Sequence, residues 1–439
     1  MYKVFFITFG CKVNQYETDS MRSEFVSQGF VETDSADDAD IIIINSCTVT
    51  GSGDSKSLYS VRKMRKIAPN AIIALTGCLP QAAPEIAAKI PEADIVAGTK
   101  DRRKLPELVR SVIAERRHIV AIDQYGAHDE FELTRFEGAQ DKTRAFVKIQ
   151  DGCNQFCSYC IIPYARGRLR SKPIDALKDE ISRLAQSGRR EIVLVGINLA
   201  FYGVEFGLRL ADAVEVCCRT EGIERVRLGS LEPEMLSDED LRRLAALPEL
   251  CPQFHLSLQS GSENTLKAMN RKYTAADYFT LTQKIRAAFP NASFTTDIMV
   301  GFPTETEEDF AESMRFAEKI GFAKIHVFQY SPRTGTPAAK MPQIAASVKA
   351  ERADRMKALA DRLHSDHLQS LVGKTVAVLF EMENSTDFHR GYAPDYTLIK
   401  ISRKNPQKSL RNQIIRVIIE ENRSDYCFGR LESEAAQQE

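Results

Sequence analysis

Apolar runs and amphipathic segments alternate along most of this chain, and that alternation restricts the fold to parallel sheets covered by helices. Within residues 1–120, KVFFITFG, DIIIINS, AIIALTG and DIVAG read as strands, with TDSMRSEFVSQG and KSLYSVRKMRKIAP as helices between them. Continuously apolar runs fit strands buried on both faces. Residues 121–143 are polar, lack periodicity and read as a linker. The alternation then resumes with AFVKIQ, EIVLVG, RVRLGS, FHLSLQ, FTTDIMVG and KIHVFQY, which makes six βα units. A closed barrel of this kind needs eight strands, so an open, incomplete barrel is expected, with a side wall that admits a macromolecule. After the unbroken helix KAERADRMKALADRLHSDHLQSLVGK, the short strands TVAVLFE, TLIKIS, QIIRVIIEE and YCFGRLE read as a small all-β barrel. The expected fold class is therefore α/β in three parts: a parallel α/β domain at 1–120, an incomplete (β/α)6 barrel at 140–368 and a small β-barrel at 370–434.

Six of the ten cysteines fall into two sets of three. Cys153, Cys157 and Cys160 form C-x3-C-x2-C within DGCNQFCSYC. Cys11, Cys47 and Cys78 are distant in sequence, yet each follows a predicted strand, beside Gly10, Asn45 or Gly77. The carboxyl ends of parallel strands share one edge, so these thiols can converge there. Three thiolates are one short of the four that close a zinc or iron–sulfur site, and the vacant position is where chemistry takes place. The alternative for the clustered set is a structural zinc hook. That needs a second half-site, and the chain has no second C-x2-C pair and no H-x3–5-H pair. His364 and His367 read as surface residues of the long helix, and Cys217, Cys218, Cys251 and Cys427 as structural.

The net charge is −1, so a nucleic-acid partner must be held by local basic patches. Arg166, Arg168, Arg170 and Lys172 read either as phosphate contacts or as the solvated lead-in to a helix. Lys374, Arg390, Lys400, Arg403, Lys404, Lys408, Arg411 and Arg416, with Tyr392 and Tyr396, read either as an RNA-binding face or as ordinary surface. At the barrel's strand ends stand Asn198, Ser230, Glu232, Gln259, Ser260 and Asp297, with Gly196 and Gly301. They read as ligand-facing groups or as turn and cap residues. MYKVFFITFG lacks the basic start of a signal peptide. No run approaches the ~18 apolar residues of a membrane span. A cytoplasmic protein without a membrane partner is expected, in a compartment where thiols stay reduced.

DGCNQFCSYCIIPYARGRLRS resembles the signature of radical S-adenosylmethionine (SAM) enzymes, in the form used by methylthiotransferases. NSCTVTGSGDSKS and LTGCLPQ resemble the cysteine motifs of the N-terminal methylthiotransferase domain, and the C-terminal barrel resembles a TRAM domain, an RNA-binding module. The resemblance covers nearly the whole chain. It implies two 4Fe-4S clusters: Cys153, Cys157 and Cys160 hold the one that binds SAM, and Cys11, Cys47 and Cys78 hold a second whose open iron carries sulfur. One electron then cleaves SAM to a 5′-deoxyadenosyl radical that takes a hydrogen from the substrate, and methylated sulfur is delivered to the resulting carbon radical. The resemblance also implies Tyr159 near the SAM adenine, Gly196 and Asn198 near its amino group, and Glu232 and Gln259 near its ribose and carboxylate. It further implies an electron donor such as a flavodoxin or ferredoxin, and a sulfur source.

CTVTGSGDSKS and CSYCIIPYARGRLRS look like the branch that converts threonylcarbamoyladenosine, next to the anticodon of tRNA, to its 2-methylthio form. Other branches act on isopentenyladenosine in tRNA or on an aspartate of a ribosomal protein. LVGINLAFYG departs from the first branch at Ala200 and Phe201, where a glycine-containing LGAYG is more usual. A reading of another class is a non-catalytic RNA-binding iron–sulfur protein, whose clusters only hold the fold.

Overall fold

In the computed structural model, which describes residues 1–134, 143–381, 385–403 and 409–435, the four predicted N-terminal strands lie parallel in one sheet. The order is Val31–Glu32, Lys3–Thr8, Ile41–Ser46, Ile72–Gly77, Ile95–Ala97, Ile119–Ala121. The two outer strands are additions to the sequence reading; Val31–Glu32 is two exposed residues, too short to register as an apolar run. Every residue of Ile41–Ser46 is buried. Ile41 and Ile43 pack with Phe25 and Val109 on one face, and Ile42 and Ile44 with Val61 and Met64 on the other. The chain winds first to one side of Lys3–Thr8 and then to the other. This creates a switch point between Lys3–Thr8 and Ile41–Ser46, and open α/β sheets bind ligands in the crevice beyond such a point. Cys11 and Cys47 flank it, and Cys78 follows the next strand.

The central domain has six parallel strands in sequence order: Arg144–Lys148, Glu191–Val195, Arg225–Leu228 with Ser230–Leu231 beyond Gly229, Gln253–Leu256, Ser293–Val300 and Lys324–Gln329. The first and last are not paired, so the barrel is open. The helix Lys12–Ser27 of the N-terminal domain packs on the edge strand Arg144–Lys148. Its Tyr16 enters the barrel's own apolar core, and Val13 covers Val193 and Val195. The helix Ala346–Gln369 lies along Lys324–Gln329 and leads to a closed five-stranded barrel, Thr375–Phe380, Phe388–Tyr392, Leu398–Ser402, Cys427–Leu431 and Ile414–Asn422. Arg225 and Arg227 hold this barrel against the strand starts. Arg225 donates to the Ala377 carbonyl at 2.6 Å, and Arg227 to the Ala393 carbonyl at 2.7 Å.

Several charge readings change. Arg166, Arg170 and Lys172 are buried, so they are neither phosphate contacts nor solvated surface; only Arg168 of that run is exposed. Tyr392 and Tyr396 stack on Arg144, at 4.4 and 5.2 Å, inside the domain junction and not on an open barrel face. Lys404 and Lys408 lie outside the described residues. The stretch read as a linker is no free tether where it is described: Phe131 is buried, and the Tyr125 hydroxyl meets Thr99 Oγ1 at 2.9 Å.

The buried cations belong to one ionic network between the first two domains. Arg166 forks onto Glu17, at 2.8 Å to Oε1 and 3.0 Å to Oε2, and reaches Asp151 Oδ1 at 3.2 Å. Lys148 Nζ lies 3.0 Å from both Glu17 and Asp151, and Arg102 lies 3.1 Å from Glu17. Burial would raise the Glu17 pKa, but Arg102, Arg166 and Lys148 overcome it and hold it at about 2. Asp151 is held well below its ordinary range by Lys148 and Arg166, also against burial. Arg166→Met takes one buried cation from both Glu17 and Asp151, which keep Lys148, and the expected loss is about 3 kcal/mol, read from the denaturant midpoint. Glu17 moves from an ordinary 4.5 down to about 2 on folding, so its contribution is full above 4.5 and is lost as pH falls toward 2. The stability gap between wild type and Arg166→Met should therefore narrow across that window.

Candidate metal and ligand site

Cys11 caps the helix Lys12–Ser27, and Cys78 begins the helix Cys78–Ala82. Gly10 and Gly77, which precede them, share a φ of +101°, a conformation open to glycine. A Cβ on Gly10 would stand 3.1 Å from Cys47 Sγ, and one on Gly77 2.5 Å from Asn45 Oδ1, so both turns also need the missing side chain. Asn14 stands among the thiols: its Oδ1 is 3.7 Å from Cys11 Sγ and 4.0 Å from Cys78 Sγ. Its Nδ2 donates to the carbonyls of Phe9 and Ser46, at 2.8 and 2.9 Å. Arg166 donates to its Oδ1 at 2.7 Å. The sequence reading brought the three cysteines together but missed Asn14. Its signal was the spacing from Cys11, which puts both on one side of a helix turn.

Backbone bonds fix the second cysteine loop: Cys153 N to Gly167 O at 3.1 Å, Ser158 N to Met269 O at 2.9 Å and Ala338 N to Ser158 O at 2.8 Å. Asn198 Nδ2 lies 3.7 Å from Cys153 Sγ, and Arg271 Nη1 lies 3.4 Å from Cys157 Sγ. Arg271 also pairs with Glu232 and stands 3.5 Å from the Tyr159 hydroxyl. Tyr159, Asn198 and Glu232 are thus gathered around the loop, with Arg271, which sequence reasoning did not single out. Gly196 packs on Gln150, whose Oε1 accepts from the Asn198 backbone N–H at 2.6 Å. Gln259, at φ +64°, pairs alongside the strand Ser293–Val300 through its backbone, donating to Asp297 O at 2.9 Å. Two strand-end residues are structural: Ser260 Oγ meets Ser313 Oγ at 2.9 Å, and Gly301 lies under Lys349.

Burial pushes the thiols of Cys47, Cys153 and Cys157 up, with Arg271 opposing the rise at Cys157, and it pushes Cys78 and Cys160 up to about 12. Such thiols keep their protons at neutral pH unless a metal takes the proton's place. The all-sulfur donor sets fit iron–sulfur ligation. Among the described residues no three Cys, His, Asp or Glu side chains close around a single ion. A cluster with its irons spread over a cube needs thiols farther apart than one ion does. Asn198 Oδ1 is buried without a hydrogen-bond partner, which leaves an acceptor beside Cys153 for a donor on a bound ligand.

A cavity of about 770 Å³ runs through the open barrel, from strand starts at Arg144, Gln253 and Lys324 to strand ends at Gly196 and Ser230. Cys11 and Lys12 line it from the N-terminal domain, and Tyr392 and Tyr396 from the C-terminal barrel. All three domains therefore meet at one hollow, with Cys11 on its wall.

Residues 147–317 match the family model described as the Radical SAM superfamily, and residues 3–98 match Uncharacterized protein family UPF0004. Threonylcarbamoyladenosine tRNA methylthiotransferase MtaB of Bacillus subtilis (strain 168) is 37% identical over 403 residues, covering 90% of this chain and 89% of the relative. tRNA-2-methylthio-N(6)-dimethylallyladenosine synthase of Pelotomaculum thermopropionicum is 37% identical over 395 residues, covering 87% of each. Among solved structures, the radical S-adenosylmethionine methyltransferase TsrM from Kitasatospora setae shares the fold, with a TM-score of 0.58 over 77% of each chain at 14% identity.

Arg271 supplies the positive charge nearest Cys157. With iron and sulfide loaded into the loop, Arg271→Met is expected to make the reduction potential of the bound centre more negative, and Arg271→Lys to recover most of the shift. Potentiometric titration followed by electron paramagnetic resonance reads both.

Proposed function

This chain belongs to the radical SAM methylthiotransferase family, and on that footing we propose that it converts threonylcarbamoyladenosine in tRNA to the 2-methylthio form. The observation that carries the proposal is the pair of cysteine triplets on facing domains, tied together by Asn14 and Arg166. Cys153, Cys157 and Cys160 would hold one 4Fe-4S cluster with SAM, and Cys11, Cys47 and Cys78 a second. When bound, these groups supply one-electron cleavage of SAM, hydrogen abstraction and a transferable sulfur. The chain's own residues position them. The free Oδ1 of Asn198 would accept from the SAM amino group, and its Nδ2 steadies Cys153. Gly196 would let SAM approach the backbone, and Tyr159 would pack beside its adenine. Glu232 is already committed to Arg271, so it would orient that guanidinium at Cys157 and leave one oxygen for the ribose. Gln259 would face the SAM carboxylate from beyond the end of the next strand, Gln253–Leu256.

The threonylcarbamoyl assignment rests on the CTVTGSGDSKS and CSYCIIPYARGRLRS motifs. The isopentenyladenosine reading stays as the second, because relatives named for either nucleoside are 37% identical to this chain. The reaction also needs a one-electron donor, such as a flavodoxin or ferredoxin, and a sulfur source. A cytoplasmic location fits a tRNA substrate, and among the described residues no helix is long and apolar enough to cross a membrane.

Nucleoside mass spectrometry on tRNA from cells with and without this chain tests the substrate. The 2-methylthio threonylcarbamoyl nucleoside is expected to vanish without it; its persistence alongside loss of the 2-methylthio isopentenyl nucleoside would sink the assignment. For the two-cluster division, Cys11→Ala should lower bound iron to about half while 5′-deoxyadenosine is still formed from SAM and dithionite, because the ligand sets are separate. Loss of both clusters together contradicts that division.

A further inference from the structure

The cavity beside Cys11 carries more positive charge than the roles above use. Lys12, Arg144, Lys324 and Arg390 line it, against the carboxylates of Asp297 and Glu381. Arg144 is paired with Glu381, and Asp297 lies 3.4 Å from His255. The side chains of Lys12, Lys324 and Arg390 make no ion pair or hydrogen bond with any described residue. The Lys12 ammonium stands 5.0 Å from the centre of the Tyr396 ring, within reach of the charges of Arg144, Arg227 and Glu191. Lys12 follows Cys11 directly and shares its stretch of cavity wall. All three are exposed at the cavity wall, so an arriving anion can pair with them directly.

We propose that these cations, Lys12 foremost, form a subsite for the carboxylate of the amino acid carried on the substrate base. The proposal rests on the threonylcarbamoyladenosine reading and assigns the residues that would recognise it. In adenine, C2 and the carbon bearing N6 both flank N1. A base with C2 held near the cysteine sets therefore sends its N6 substituent along the same edge, into the cavity. A threonylcarbamoyl group ends there in a carboxylate that three cations can meet with charge-assisted hydrogen bonds. An isopentenyl group brings no charge and would only strip water from them, so the same wall that accepts one substituent rejects the other. Arg390 belongs to the strand Phe388–Tyr392, which makes the C-terminal barrel part of this reading surface.

The test uses the full-length reconstituted protein and three anticodon stem-loops that differ only at the target adenosine: threonylcarbamoyl, its carboxyl methyl ester, and unmodified. Fluorescence anisotropy should show the acid bound about tenfold or more tightly than the ester, the range expected for hydrogen bonds to a charged group. Lys12→Met and Lys324→Met should each shrink that ratio while leaving the affinity for unmodified RNA in place. Lys324 begins a barrel strand and adjoins no cysteine in sequence, so its variant keeps the test sound if Lys12→Met disturbs iron loading. Equal affinity of the wild type for acid and ester, with methylthiolated product still formed from the acid, overturns the subsite and spares the substrate reading. In a parallel turnover assay with a fourth stem-loop bearing isopentenyladenosine, product from that RNA and none from the acid overturns both. Equal weakening toward all three RNAs assigns the lysines to phosphate, and a change only in sulfide dependence assigns them to the sulfur source; either result overturns the proposal.

Discussion

One buried guanidinium sets the relation between the two cysteine sets. Arg166 ends the short helix after the loop of Cys153, Cys157 and Cys160, and it is fully enclosed. It forks onto Glu17 and donates to Asn14, both on the helix that starts at Cys11. Asn14 in turn lies beside Cys11 and Cys78. Charges removed from water survive only with their partners in place. The N-terminal domain therefore cannot shift on the barrel without stranding Glu17, Asp151 or Arg166. Facing of the two sites follows from that electrostatic lock and needs no ligand to impose it.

The lock has a second effect, on the hollow between the domains. Six strands leave the barrel open, and the helix bearing Cys11, Lys12 and Val13 packs on its first strand. The C-terminal barrel covers the strand starts through Arg225 and Arg227. What a complete barrel would fill with its own strands is here walled by three domains, so a substrate group reaching the cavity can be read by all of them. The buried thiols give the chemistry its own condition. Pushed upward by burial, they favour the protonated form until metal displaces the proton, so each site is completed by what it binds.

Much of this was legible. Continuous apolar runs such as IIIINS can only be buried strands, and their alternation with amphipathic helices specified the parallel sheets, the open barrel and the strand-end placement of Cys11, Cys47 and Cys78. The charged residues were not. Arg166, Arg170 and Lys172 look like surface in the sequence because Arg and Lys are almost never fully buried unless paired. Glu17, on which Arg166 forks, lies 149 residues away. Arg271, Asn14 and the inward-facing Tyr396 stayed hidden for the same reason, since each owes its role to a contact between distant segments. Ser260 and Gly301 erred the other way: strand-end position suggested a ligand, and local packing assigned them to turns.

The sequence by itself determined the elements, their parallel arrangement and the two incomplete thiol sets, because periodicity and spacing act over one or two turns of chain. The tertiary structure decided which charges are buried, which residue bridges the two thiol sets and which cations face the shared cavity. Pairing of charges and closure of a cavity depend on which surfaces meet, and that is a property of packed domains, not of any stretch of residues.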